Sequence, residues 1–293
     1  MPNTEENREP RLLVLGAHPD DAEFHAGGLA SIYRLLGRVV KLVSVTDGSV
    51  GHHERSPEQL VDIRRQEAAA AGNVIGAAYE TWEFPDGRLE PTLEVRHRII
   101  REIREFRPDL ILTHRTCDYH PDHRAVGQCV QDASYMVTVP HIVPEVAALR
   151  RCPVIAYMGD LFTRPVRFRA DVLIDVTELH ETIAQMMACH QSQLFEWLAY
   201  EEGTLDKIPT GKNERLQWAK DWYAGHVRRR TEFFRDEVIA KWGPEAGESI
   251  DLVEAYEISE YAIQPDASSL ARLFPEKLPI PDLTRKRPSV SSP

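Results

Sequence analysis

Residues 11–28 read RLLVLGAHPDDAEFHAGG, and this stretch decides the fold class. The apolar run 12–15 shows no alternation of polar and apolar residues, which is typical of a strand buried on both faces of a parallel sheet. Pro19 and two acids end the run, and a helical pattern follows as far as Gly37. The turn after the first strand therefore carries His18, Asp20 and Asp21. In α/β proteins this edge of the sheet is where ligands bind.

A second stretch, residues 118–124, reads DYHPDHR and has the same character. It follows another apolar run, residues 109–113, and it opens another helical segment. Since the carboxyl ends of parallel strands meet at one edge of a sheet, two loops present His and Asp side chains to each other. This pairing predicts a metal site.

Strand and helix patterns alternate along most of the chain. The pattern predicts a Rossmann-like α/β fold, with a mostly parallel sheet and helices on both faces. The further strands expected are residues 39–45, 79–84, 109–113, 154–158, 172–176 and 253–261. Residues 178–242 are helical in pattern and form a C-terminal elaboration. We expect a single domain over residues 1–263, with a loose start, and an extended proline-rich tail over 264–293.

Composition limits the function classes. The chain has 293 residues, 42% of them hydrophobic and 28% charged, as expected for a soluble globular protein. The net charge of −11 argues against nucleic acid as a partner. No apolar run approaches the roughly 18 residues of a membrane span, and the polar N-terminus is unlike a signal peptide. We therefore expect a cytoplasmic protein. The aromatic C-terminal helices are consistent with a homo-oligomer.

The metal chemistry follows from the residue types. A catalytic zinc ion takes three protein ligands and leaves one position open, and His18, Asp21 and His123 supply that set. Adjacent side chains diverge, so Asp20 is left free to act as a general base. An alternative is that the acids only cap two helix N-termini.

His120 precedes His123 by one helical turn, so both side chains can face one side. His120 can donate a hydrogen bond to an oxyanion and protonate a leaving amine. The prediction for Asp122 is that it orients and charges His120.

These residues resemble the PIG-L/LmbE family of zinc-dependent N-deacetylases. The paired motifs His18-Pro19-Asp20-Asp21 and His120-Pro121-Asp122-His123 carry the resemblance. Supporting matches, spread over about residues 11–195, are Glu23, Gly27-Gly28, Arg64-x-x-Glu67, Pro85-Asp86-Gly87, Arg107-Pro108-Asp109 and His190-x-Ser192-Gln193.

The resemblance implies an LmbE-like fold and hydrolysis of an N-acetyl or N-acyl group on an amino-sugar-containing substrate, a small molecule or glycoconjugate. It implies zinc as the cofactor, with another divalent ion such as Fe²⁺ as an alternative. The roles it implies are zinc ligands at His18, Asp21 and His123, the base at Asp20, and the acid and oxyanion partner at His120 with Asp122.

Four residues are expected to contact substrate. Arg64 matches a family arginine near the substrate, and Asp47 ends the second strand at the same edge. In some family members a tyrosine two residues before the first histidine of the second motif holds the oxyanion. Here Asp118 occupies that position and Tyr119 follows it.

Two other functions compete with the deacetylase. Two histidines and one carboxylate also describe the facial triad of Fe(II) oxygenases, although the alternating strands and helices differ from the all-β scaffold usual there. The second competing function is a non-catalytic module that binds a nucleotide or a metal. The first turn lacks the Gly-x-Gly-x-x-Gly loop, and its two acids would repel a pyrophosphate.

Overall fold

The computed structural model describes residues 8–276. The expectations for residues 1–7 and 277–293, most of the loose start and of the tail, lie outside the described residues. A seven-stranded sheet forms the centre in the order β3-β2-β1-β4-β5-β7-β6. Its strands are β1 Leu12–Gly16, β2 Val40–Thr46, β3 Ala78–Phe84, β4 Leu110–Thr113, β5 Val154–Met158, β6 Val172–Asp175 and β7 Val253–Ile258. The first five strands run parallel, and β7 is antiparallel to both of its neighbours.

Ten helices surround the sheet within the described residues. They are α1 Asp21–Leu35, α2 Pro57–Ile75, α3 Leu93–Phe106, α4 Pro121–Met136, α5 His180–Met187, α6 Leu198–Glu201, α7 Lys212–Phe233, α8 Arg235–Trp242, α9 Pro244–Ser249 and α10 Ala267–Leu273. None of the helices in this part of the chain is long and apolar enough to cross a membrane.

Alternate residues of β1 enter two different hydrophobic cores. Leu12 and Val14 pack with residues of α1, α5 and α7, whereas Leu13 and Leu15 pack with residues of α3 and α4. All four side chains are fully buried. The α/β fold with helices on both faces of a mostly parallel sheet and a helical C-terminal elaboration is thus confirmed, and β1 is buried on both faces as its unbroken apolar run predicts.

The topology places a crevice at the carboxyl end of β1. The chain runs outward from β1 through β2 to β3, and then crosses back to place β4 on the other side of β1. The connections after β1 and β4 therefore separate to opposite sides, which opens a crevice for ligands. Both His-Pro-Asp motifs begin there.

The C-terminal end differs from the expected extended tail. Residues 267–273 form α10, whose N-terminus is capped by the Asp266 side chain accepting the Ser269 N–H at 2.7 Å. Leu273, the last residue of α10, and Phe274 after it are buried in the core beside α1. The sequence pattern did not reveal this helix of about two turns, because seven residues are too few for a helical period to stand out. The last strand is also shorter than expected and ends at Ile258.

Candidate metal centre

Three side chains predicted as ligands meet at the crevice. His18 Nδ1 lies 3.5 Å from Asp21 Oδ2 and 3.3 Å from His123 Nε2, and His123 Nε2 lies 3.4 Å from Asp21 Oδ1. Ligand atoms about 2.1 Å from a tetrahedral zinc ion are about 3.4 Å apart. The donor set and its spacing therefore fit a small divalent cation.

Backbone hydrogen bonds hold the Asp21 carboxylate in place. Its Oδ2 accepts the N–H groups of Ala17 at 2.9 Å and His18 at 2.7 Å. Burial raises the pKa of Asp21, but the nearby imidazoles of His123 and His114 outweigh it and hold that pKa well below its usual range. The carboxylate is thus anionic and held in place. Gly16 permits this approach, since a Cβ there would lie 2.8 Å from Asp21 Cβ.

His18 is surrounded by carboxylates. Its Nε2 lies 3.2 Å from Asp86 Oδ1 and 3.3 Å from Asp122 Oδ2. Burial lowers the pKa of His18, and the hydrogen bonds to Asp122, Asp21 and Asp86 raise it well above its ordinary value. Such a concentration of negative charge attracts a cation, and a carboxylate on the second ring nitrogen orients a ligand histidine.

Asp20 occupies an unusual backbone conformation next to the ligands. Its φ is 119° and its ψ is −25°, a region that a non-glycine residue rarely adopts. Burial, followed by repulsion from Asp21, raises the pKa of its carboxyl to about 6. This carboxyl can therefore take up and release a proton near neutral pH.

The structure places the Asp122 carboxylate on His18, whereas from the sequence we expected it to orient and charge His120. The Asp122 carboxylate is buried and accepts the N–H of Gly87 at 2.7 Å and of Leu89 at 3.2 Å, besides reaching His18. His120 instead caps α4: its Nδ1 accepts the N–H of Asp122 at 3.2 Å. The two side chains leave the first turn of α4 in different directions, so Asp122 supports His18. Because Nδ1 is an acceptor, the proton of a neutral His120 sits on Nε2, where it can be donated.

Asp118 and Tyr119 occupy different surroundings. Asp118 Oδ1 lies 3.1 Å from His123 Nδ1 and accepts the His120 N–H at 2.9 Å, so it supports the second motif from behind. The Tyr119 side chain is 71% exposed, and its ring centroid lies 5.7 Å from that of His120. Tyr119 is the more exposed of the two, and a contact of either residue with substrate stays a prediction.

Arg64 and Asp47 line the β2 side of the crevice. Arg64 is buried, donates from Nη2 to the Gly51 carbonyl at 2.8 Å, and lies close enough to Asp20 to favour its ionised form. Asp47 Oδ1 accepts the N–H groups of Ser49 at 3.0 Å and Asp86 at 3.1 Å. Asp47 thus ties two loops together. A contact of Arg64 or Asp47 with substrate stays a prediction.

Sequence reasoning missed His114 as a member of this site. His114 follows β4 directly, its Nε2 lies 3.1 Å from Asp21 Oδ2, and its ring stacks on His123 at 3.9 Å. Asp21, His114 and His123 are together close enough to share a cation, as are His18, Asp86 and Asp122. The signal that pointed to His18, a polar residue at the end of a buried parallel strand, also applies to His114.

One protein-family model matches the part of the chain that carries most of the site. Residues 13–134 match the PIG-L family, described as GlcNAc-PI de-N-acetylase. This region of the chain is similar to the PIG-L family. The matched region contains both His-Pro-Asp motifs and Arg64, whereas His190-x-Ser192-Gln193 lies beyond it.

Proteins similar to this chain include two kinds of enzyme. The chain is 27% identical over 207 residues to the diacetylchitobiose deacetylase of Thermococcus kodakarensis, covering 67% of this chain and 75% of that protein. It is 24% identical over 203 residues to the 4-oxalmesaconate hydratase of Pseudomonas putida, covering 67% and 78%.

A solved structure shares the fold. The N,N'-diacetylchitobiose deacetylase of Pyrococcus horikoshii superposes with a TM-score of 0.66 over 88% of each chain, at 19% sequence identity.

Proposed function

We propose that this protein is a metal-dependent hydrolase that removes an N-acetyl or other N-acyl group from an amino-sugar-containing substrate. The observation that carries the proposal is the convergence of three side chains beside the Asp20 carboxyl. His18 Nδ1 and His123 Nε2 lie 3.3 Å apart, and the two carboxylate oxygens of Asp21 lie 3.5 Å and 3.4 Å from them. The family match and the diacetylchitobiose deacetylase relative support the deacetylase chemistry and the amino-sugar substrate.

His18, Asp21 and His123 would hold the ion, with zinc expected and Fe²⁺ as an alternative. A divalent ion bound there lowers the pKa of water and polarises the amide carbonyl. Asp86 and Asp122 on His18, and Asp118 on His123, keep the two imidazoles oriented.

Asp20 serves as the general base and takes a proton from the attacking water. Its pKa of about 6 suits this role, because a base titrating near the working pH is mostly ionised yet still basic. His120 donates its Nε2–H as a hydrogen bond to the oxygen that becomes negative in the tetrahedral intermediate. The proton that Asp20 took from the water then passes to the leaving amine nitrogen as the C–N bond breaks, which returns Asp20 to its ionised form. The ring centroid of His120 is 4.4 Å from that of His18.

The test is acetate release from a panel of N-acetylated amino sugars, using protein stripped of metal by a chelator. We expect release to return with added zinc, and the best member of the panel to define the substrate. Tight stoichiometric zinc binding without release from any member would contradict the amino-sugar proposal.

The hydratase relative favours a second candidate, the addition of water to a carbon–carbon double bond. Hydration and deacetylation both need an activated water and a proton donor, so the metal centre alone does not distinguish the hydratase from the deacetylase. An assay with 4-oxalmesaconate beside the acetylated panel distinguishes the two functions. Consumption of 4-oxalmesaconate without acetate release from the panel would favour the hydratase and contradict the deacetylase. The mostly parallel sheet differs from the all-β scaffold usual for Fe(II) oxygenases, so it does not support that alternative.

A further inference from the structure

Asp20 needs an external restraint to keep its conformation. A non-glycine residue in a sparsely populated region of φ and ψ costs on the order of 1–3 kcal/mol, and it persists only where its surroundings determine it. On the C-terminal side of the residue, the Asp20 backbone carbonyl accepts the Phe24 N–H at 3.0 Å as α1 begins. On the N-terminal side, the Asp20 backbone N–H donates to the hydroxyl of Tyr79 at 3.4 Å.

Tyr79 in turn depends on a buried carboxylate. It lies on β3, two strands away from β1, and its hydroxyl donates to Glu23 Oε2 at 3.3 Å. Glu23 is fully buried on the first turn of α1, where an ionised carboxylate is costly without partners. Its other oxygen, Oε1, lies 2.9 Å from His190 Nε2, and His190 is fully buried too.

His190 is anchored by the segment that follows it. Ser192, two residues on, donates its N–H to Glu67 Oε1 at 2.8 Å and its hydroxyl to Glu67 Oε2 at 2.6 Å, which joins the segment to α2. Ser192 also opens a π-helical turn, Ser192–Trp197. Two buried carboxylates, Glu23 and Glu67, therefore clamp the C-terminal elaboration onto the helices beside the metal centre.

We propose that Tyr79, Glu23 and His190 are positioning residues for Asp20: the buried Glu23–His190 pair holds the Tyr79 hydroxyl, which fixes the strained Asp20 backbone and so aims its carboxyl. The proposal rests on Asp20 acting as the base of the proposed reaction. It also explains the His190-x-Ser192 spacing, because the two side chains must reach carboxylates on different helices, α1 and α2.

The decisive variant is Tyr79→Phe, which removes only the hydroxyl. Its control is Tyr33→Phe, which removes another buried hydroxyl from the far end of α1, where it donates to the Leu273 carbonyl at 2.6 Å. We expect kcat for acetate release to fall about tenfold or more in Tyr79→Phe with KM nearly unchanged, because the base is misaligned while substrate binding is intact. Tyr33→Phe should keep kcat.

A second measurement does not depend on activity. Hydrogen exchange of the peptide amides around residues 17–24 should be faster in Tyr79→Phe than in the wild type or Tyr33→Phe. Exchange that stays unchanged refutes the proposal even if no substrate is found, so its failure is distinct from a failure of the proposed function. Faster exchange with an unchanged kcat in an active deacetylase also refutes it.

Variants of His190 separate positioning from folding. His190→Gln offers an amide N–H to Glu23 in place of the ring nitrogen, whereas His190→Ala offers none. We expect the glutamine variant to recover part of the kcat and of the slow exchange lost in the alanine variant. Equal losses in the two variants at equal melting temperature would overturn the role of His190.

Discussion

Asp20 and Asp21 are adjacent in sequence, yet their environments give them opposite acidities. The pKa of Asp20 rises to about 6 by burial and by repulsion from Asp21, whereas the imidazoles of His123 and His114 hold the pKa of Asp21 well below its usual range. One carboxyl is therefore suited to exchanging a proton and the other to binding a cation. The positive φ of Asp20 gives the two neighbours their different surroundings.

Removing the base should abolish turnover and leave metal binding intact. Asp20→Asn keeps the size of the side chain but removes its proton affinity, so we expect kcat to fall by about 10²-fold or more. Zinc content, measured by a chelator competition titration, should stay at the wild-type level. Retained turnover in this variant would rule out Asp20 as the base.

His114 should matter for metal affinity although it was not among the predicted ligands. Its imidazole contacts the Asp21 carboxylate, and loss of such a supporting partner typically weakens metal binding by about 10- to 100-fold. We expect His114→Ala and His114→Gln to show this loss in a chelator competition titration. The control is His141→Ala, an exposed histidine outside the site. Wild-type affinity in both His114 variants would show that Asp21 needs no such support.

At the scale of elements, α1 is fitted closely against β7 and the turn after β6. Glu254 of β7 accepts the backbone N–H groups of Gly28 at 2.6 Å and Leu29 at 2.9 Å inside α1. A Cβ on Gly28 would lie 2.3 Å from Val176 Cγ1 and 2.9 Å from Glu254 Oε1. Gly28 therefore lets the helix that carries Asp21 and Glu23 approach the sheet.

Two glycine-to-alanine changes should act in opposite directions. Gly28→Ala should reduce the free energy of unfolding by about 1–3 kcal/mol, because buried neighbours must move. Gly225→Ala should raise it by up to about 1 kcal/mol, since Gly225 is exposed within α7 and a Cβ there meets nothing within 4 Å. Urea denaturation measures both. A stabilising Gly28→Ala would mean that α1 is not held against Val176 and Glu254.

At the scale of the whole molecule, the last described residues belong to the fold. Phe274 is 2% exposed, and its ring lies 5.5 Å from that of Tyr256 on β7. The segment after β7 thus returns across the sheet to cover α1. Cytoplasmic location, oligomeric state and the absence of a nucleic-acid partner stay predictions.

Truncating this side chain should show that the segment is structural. We expect Phe274→Ala to lower the free energy of unfolding by about 3–5 kcal/mol, the usual range for a buried phenylalanine. Tyr261→Ala, at a side chain 65% exposed, should change it by less than about 0.5 kcal/mol. Equal, small effects in urea denaturation would favour a dispensable tail after residue 263.

The sequence by itself determined the α/β fold class, the strand that precedes each His-Pro-Asp motif and the meeting of those motifs at one edge. Apolar runs and helix-start residues are local signals, and parallel strands bring their carboxyl ends together. Only the tertiary structure decided which carboxylate faces which histidine. Asp122 turns to His18, Asp118 to His123 and Glu23 to His190 because side-chain directions and long-range loop contacts set those pairs. Spacing along the chain does not encode them.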